Sequence, residues 1–162
     1  MPRSSKPKPA IRIIGEIRTP YGPGNCPRFA DESLPDKARL IIHPEYHAGL
    51  KRLSRFSYLY VLFLLDRPRR ECSLLVHPPR APGIEVGVFA SRSPNRPSPI
   101  GLSVVRLLKV KKGELVTSAL DAYDHTPLLD LKPYFRDDDC KLDSNNGWLN
   151  PLPEVRSRKR LG

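Results

Sequence analysis

Apolar positions recur at every second residue through much of this chain, and that spacing predicts strands. "IRIIGEIRT" (Ile11 to Thr19) is β-branched and roughly alternating, and "ARLIIH" (Ala38 to His43) forms a second such run. "FSYLYVLFLLD" (Phe56 to Asp66) is apolar on both faces, which fits a buried strand and not an edge. "CSLLVH" (Cys72 to His77) and "IEVGVFA" (Ile84 to Ala90) predict two further strands, separated by "PPRAPG". "IGLSVVRLLKV" and "ELVTSALDAY" flank "KKG", a hairpin signal in which Gly113 can take positive φ. "TPLLDLKPY" (Thr126 to Tyr134) closes the series. One segment departs from the pattern: in "PEYHAGLKRL", Pro44 suits a first helical turn, and Tyr46, Leu50 and Leu53 fall at i, i+4, i+7. These elements predict an all-β, barrel-like or irregular domain with one or two short helices, and 19 prolines agree with it. The absence of βαβ alternation and of GxGxxG argues against a doubly wound nucleotide fold.

Composition changes this picture in three places. At 162 residues, 39% hydrophobic and 28% charged, the chain is sized and composed like one globular domain. We expect a basic arm at residues 1–10, a domain over 11–140, and a C-terminal extension, 141–162, with a basic tail. No apolar run reaches bilayer length, and no apolar segment follows the basic N-terminus, so neither a membrane span nor a signal peptide is expected. Cys26, Cys72 and Cys140 are odd in number and widely spaced, which argues against a disulfide framework or zinc ribbon and favours the reducing cytoplasm. The net charge is +11, of which the two tails supply six; the body stays basic through Lys51, Arg52, Arg55, Arg67, Arg69 and Arg70. A nucleic-acid partner fits that balance, as does plain solubility.

Two segments hold candidate chemistry. "GVFASRSPNRPSPIGLSVV" (Gly87 to Val105) contains Pro94, Pro97 and Pro99, which fix φ and stiffen the loop that carries Arg92 and Arg96. Such a loop is a preorganised clamp for an anion or carboxylate, or else a proline-rich crossover with solvated arginines. "LDAYDHTPLLDLKPY" (Leu120 to Tyr134) gathers Asp121, Asp124, Asp130, His125, Lys132, Tyr123 and Tyr134 after a strand end, where reactive groups are commonly presented and where Asp also serves turns. "HPEYH" places His43 and His47 four apart, but its Glu45 does not directly follow the first histidine, so no metal site is expected.

Taken together and in order, these two segments resemble the TrmO/YaeB (TsaA-like) family. "IGEIRTPY" (Ile14 to Tyr21), "CPR" (Cys26 to Arg28), "GLKRLSRFSYLYVLF" (Gly49 to Phe63) and "HPPR" (His77 to Arg80) extend the likeness over roughly residues 11–137. Members are tRNA N6-methyltransferases that use S-adenosylmethionine on threonylcarbamoyladenosine beside the anticodon. The resemblance implies a single-sheet barrel-like fold and a homodimer with the cofactor near the subunit contact. It implies cofactor contacts at Pro27, Arg28, Phe29, Asp66, Arg67, Arg92, Leu102 and Ser118, Ala119, Leu120 and Asp121. Within that reading, Asp121 and Asp66 face a cationic methyl donor, and Arg92 pairs with its carboxylate. Asp124, Lys132 and Tyr134 are the candidates for activating the acylated adenine N6. Lys51, Arg52, Arg55, Arg69, Arg70 and Arg96 are the candidates for contacting tRNA. The chain departs from the family pattern at Phe29 (usually Gln), Tyr58 (His), His77 (Arg), Ser98 (Asn) and His125 (Gly). The alternatives are a non-catalytic basic nucleic-acid-binding protein on the same fold, or a methyltransferase for another substrate.

Overall fold

The computed structural model describes residues 10–67 and 71–150. Eight strands form: β1 (Gly15–Arg18), β2 (Lys37–Ile42), β3 (Tyr58–Leu64), β4 (Leu75–Val76), β5 (Val86–Gly87), β6 (Ile100–Lys111), β7 (Glu114–Ser118) and β8 (Thr126–Pro133). Two compact units result. One comprises Met1–Arg69 and Pro97–Tyr134; the other comprises Arg70–Arg96 and Phe135–Gly162.

The first unit is a closed antiparallel barrel in the order β1-β2-β7-β6-β3-β8, with β8 pairing back to β1. Alternation along each strand fills its interior. Ala38, Leu40 and Ile42 point inward from β2, and Leu59, Val61 and Phe63 from β3, joined by Ile17, Val105, Leu115 and Leu128. β3 is bonded on both sides, to β6 and to β8, as its two apolar faces require. Register shifts at Leu62/Phe63 and at Leu107/Lys109 add the local twist that a small closed barrel needs. Gly101 makes room for the inward Phe63: a Cβ there would lie 2.2 Å from the ring. Gly113 turns the β6–β7 hairpin at φ +72°.

Three expectations shift in detail. The helix expected from Pro44 is a pair of 3-10 turns, Pro44–Leu50 and Leu53–Arg55, because i→i+3 bonds such as Tyr46 N to His43 O (3.0 Å) close it and Arg52 breaks it at φ 69°. Tyr46, Leu50 and Leu53 still pack against the barrel core. The strand read through Tyr123 ends at Ser118; beyond it Ala119 forms a lone bridge to Asp31, and a turn follows.

In the second unit, the two runs read as full strands shrink to the two-residue β4 and β5, and Val88–Ala90 is a 3-10 turn. Serines brace its proline-rich loop where prolines cannot donate. Ser91 Oγ donates to Val88 O at 2.9 Å, and the Ser93 and Asn95 amides donate to Ser91 Oγ and Ser93 Oγ, both at 3.3 Å. Trp148 Nε1 donates to Ala90 O at 2.9 Å. No helix among the described residues is long and apolar enough to cross a membrane.

Candidate functional site

The chemistry gathers where β7 leaves the barrel. Leu120 packs into the core, and the chain turns directly after it. Asp121 there accepts a hydrogen bond from Ser103 Oγ, an inward-facing, buried hydroxyl on β6. The Cys26 thiol lies beside this carboxylate. Burial, and then the negative charge of Asp121, push the thiol up to about 11, so it stays protonated at neutral pH.

Asp124, three residues on, is held by several bonds. Its Oδ1 accepts Arg18 Nε at 2.9 Å and the Thr19 amide at 3.1 Å, and its own amide donates to Tyr21 O at 2.8 Å. Thr19 Oγ1 donates to Ala122 O at 2.8 Å, and Arg67, from the end of β3, donates to the Asp124 carbonyl. Burial pushes the Asp124 carboxyl up, but the bonds from Arg18 and Thr19 outweigh it and leave the group below the usual carboxylate range. A carboxylate held this way is a poor proton acceptor and a good organiser of its turn. His125 next to it sits at φ +63°, the left-handed conformation that favours the glycine of the family pattern. Its Nδ1 lies 3.1 Å from Glu16 Oε2 and its Nε2 3.4 Å from Asp124 Oδ2.

Among the residues singled out from the sequence, several meet near this turn. Ser118, Ala119 and Leu120 are buried at its root. Pro27 and Phe29 are half-buried and Arg28 exposed in the segment that follows Cys26. Asp66 and Arg67 are exposed at the end of β3, with the Arg67 guanidinium 5.9 Å from the Tyr123 ring centroid. Leu102 points outward from β6 and is 50% exposed.

The three catalytic candidates do not cluster. Lys132 lies six residues past Thr126 on β8, about 20 Å of strand away from the Asp124 turn. Its Nζ pairs with Asp130 at 2.8 Å, and Tyr134 packs on Tyr58 and Tyr60. In the second unit, Arg92 is exposed, whereas Arg96 is half-buried and donates to Ser91 O at 3.2 Å. Lys51, Arg52 and Arg55 are exposed; Arg69, Arg70 and most of both basic tails lie outside the described residues.

Sequence reasoning missed Arg18, Thr19 and Ser103, the groups that fix Asp124 and Asp121. It also missed Glu32 and Arg106, which bond to each other at 2.8 Å and both meet the Tyr58 hydroxyl. No local pattern joins partners so far apart in the chain.

Fold and site define a small antiparallel barrel that presents, just after β7, a fixed carboxylate beside a half-buried thiol, a setting suited to a compact cationic ligand. A family profile described as the tRNA-methyltransferase O N-terminal domain matches residues 16–140. A probable S-adenosyl-L-methionine-binding protein of Archaeoglobus fulgidus is 40% identical over 155 residues, covering 93% of this chain and 41% of the relative. The tRNA (adenine(37)-N6)-methyltransferase of Homo sapiens is 37% identical over 84% of this chain and 30% of its own length. The crystal structure of TrmO from Pseudomonas aeruginosa superposes with a TM-score of 0.69 at 31% identity, over 86% of this chain and 62% of that one. The chain therefore spans less than two thirds of the length of these relatives. It belongs to the tRNA-methyltransferase O N-terminal domain family.

Proposed function

We propose that this protein is an S-adenosylmethionine-dependent methyltransferase that modifies N6 of threonylcarbamoyladenosine beside the anticodon of tRNA. The observation that carries the reading is the Asp121 carboxylate, fixed by Ser103 just after β7, in a chain of this family. Bound S-adenosylmethionine supplies an electrophilic methyl group on a sulfonium. The residues present fit such a group: the Asp121 carboxylate offsets positive charge, the buried apolar residues just after β7 (Ala119, Leu120) back it, and the protonated Cys26 thiol does not compete as a nucleophile. Asp66, Arg67 and the Pro27–Phe29 segment supply further contacts.

Methyl transfer is an in-line displacement, so the protein's main task is to hold nucleophile and donor in line. Asp124 keeps the turn that carries Asp121 in shape. Lys132 and Tyr134 remain the groups that can act on the acylated N6. Their distance from Asp124 along β8 fits a site completed by a second copy, and exposed Ile100, Leu102 and Val104 on the outer face of β6 supply an apolar surface for a homodimer. The free cysteines Cys26, Cys72 and Cys140 fit a cytoplasmic protein.

The test is titration calorimetry of S-adenosylmethionine into the full chain, followed by transfer of a labelled methyl group to bulk tRNA. Binding with label on the tRNA is expected, and Asp121→Asn weakens the binding. No heat of binding to the wild-type protein ends the cofactor reading; binding of tRNA without label turns the assignment to a non-catalytic RNA-binding protein.

A further inference from the structure

The outer face of the barrel changes character along β6. Ile100, Leu102 and Val104 are apolar; the next outward residue is Arg106. Its guanidinium lies over the Tyr58 ring, 4.6 Å from the centroid, and its Nε donates to Glu32 at 2.8 Å. Tyr134 meets Tyr58 edge-on at 6.3 Å and Tyr60 at a tilt at 5.6 Å. Strand register builds this cluster. Tyr58 stands opposite Arg106 on one side, and on the other Leu59 stands opposite Pro133, so that the Tyr134 amide donates to Tyr58 O at 3.1 Å. The three rings are half-buried: each is gripped by the sheet, with part of its surface in water.

The rim of this tray is basic. Lys132 is 62% exposed at its edge, and the exposed Lys51, Arg52 and Arg55 lie in the segment leading into β3, whose last turn packs against β6. Among the carboxylates nearby, Glu32 and Asp130 each already pair with a cation, and Asp31 adds negative charge beside Glu32. A strand with flat π faces and phosphates complements both the rings and the cations.

We infer that Tyr58, Tyr134 and Arg106 form a stacking platform for an unpaired base of single-stranded RNA, with Lys132 and the Lys51–Arg55 turn holding its phosphates. Bases stack on tyrosine rings and on guanidinium planes alike, so the platform grips a splayed loop without reading its sequence. The inference rests on the RNA part of the function proposed above and not on methyl transfer.

Fluorescence anisotropy of the full chain tests it, with a labelled ten-nucleotide oligoadenylate and a matched strand whose central residues are abasic. Both carry the same phosphate charge. The wild type is expected to prefer the base-bearing strand by about tenfold. Tyr134→Leu and Tyr58→Leu collapse that preference, and Tyr134→Phe, which keeps the ring, retains it. Equal affinity of the wild type for the two strands overturns the platform, as does a preference that survives in a folded Tyr134→Leu protein. If the leucine variants fail to fold by circular dichroism, the wild-type comparison and Tyr134→Phe decide: a preference present in the first and lost in the second also overturns it. Sedimentation in which Tyr134→Leu only splits a dimer, with no preference in the wild type, assigns the rings to a self-contact instead. Absence of S-adenosylmethionine binding alongside an intact preference removes the methyl-transfer reading and leaves the platform standing.

Discussion

Replacing Asp124 separates two roles that its position allows: moving a proton from the substrate, or holding the turn that carries Asp121. Asparagine keeps an acceptor for the Thr19 amide but gives up the charge facing Arg18. That ion pair is more than a third exposed on both sides, at 39% and 36%, so solvent screening leaves it a minor contributor. Alanine also leaves the Thr19 amide without its acceptor, which costs about 1–2 kcal/mol. For a chain of this size that lowers Tm by about 2–8 °C. Calorimetric melting and S-adenosylmethionine titration, run on wild type, Asp124→Asn and Asp124→Ala, give the comparison. The organising role predicts that alanine lowers both Tm and cofactor affinity while asparagine stays close to wild type in both. The reasoning fails if asparagine leaves Tm and cofactor affinity untouched yet abolishes methyl transfer, because that outcome belongs to a general base.

Acid gives the same residue a second signature. The folded-state pKa of Asp124 lies below its unfolded value, so its stabilising contribution is present above the ordinary carboxylate pKa of about 3.9 and is lost as pH falls through the lowered folded value. The Tm difference between wild type and Asp124→Ala is therefore largest above about pH 5 and closes in stronger acid. A difference that widens as pH drops contradicts the assigned direction.

Three further outcomes follow from the geometry. Gly101→Ala drives a Cβ into the Phe63 ring, which is 2% exposed and cannot swing into solvent, so the urea midpoint falls by the equivalent of about 1–3 kcal/mol; an unchanged midpoint refutes the close approach. His125→Val is less stable than His125→Gly by at least about 1–2 kcal/mol, since a β-branched residue resists φ +63°, and thermal melting that ranks them the other way rejects the left-handed turn. Cys26, with its thiol near 11, carries about a hundredfold less thiolate at pH 8 than an ordinary cysteine, so mass spectrometry after iodoacetamide finds it modified last; Asp121→Asn speeds it, and no change of rate on that substitution removes the coupling between the two groups.

How much of this was legible in the sequence depends on the range over which each cause acts. Inward and outward alternation is local, so the runs that became β2, β3 and β6 could be read directly, and the two apolar faces of β3 already demanded neighbours on both sides. The 3-10 turns after His43 were legible as packing but not as helix type, because Tyr46, Leu50 and Leu53 reach the core from either conformation. The bonds that give the site its form were not legible. Arg18 to Asp124 joins residues that only barrel closure brings together, and Ser103 meets Asp121 only in the register that the β6–β7 hairpin adopts beyond its paired residues.

The proline-rich loop shows the difference most sharply. As sequence, Arg92 and Arg96 are two equivalent guanidiniums on one stiff segment. In the fold, Arg96 spends a donor on the Ser91 carbonyl and is half-buried, while Arg92 stands exposed on the framework that Ser91, Ser93 and Arg96 brace. The stiffness therefore has a direction. Bonds that prolines cannot make are supplied by serines and by one arginine, and together they preorganise the other. A ligand carboxylate meeting this loop finds Arg92, and loss of Arg96 weakens that meeting indirectly by loosening the loop beneath it.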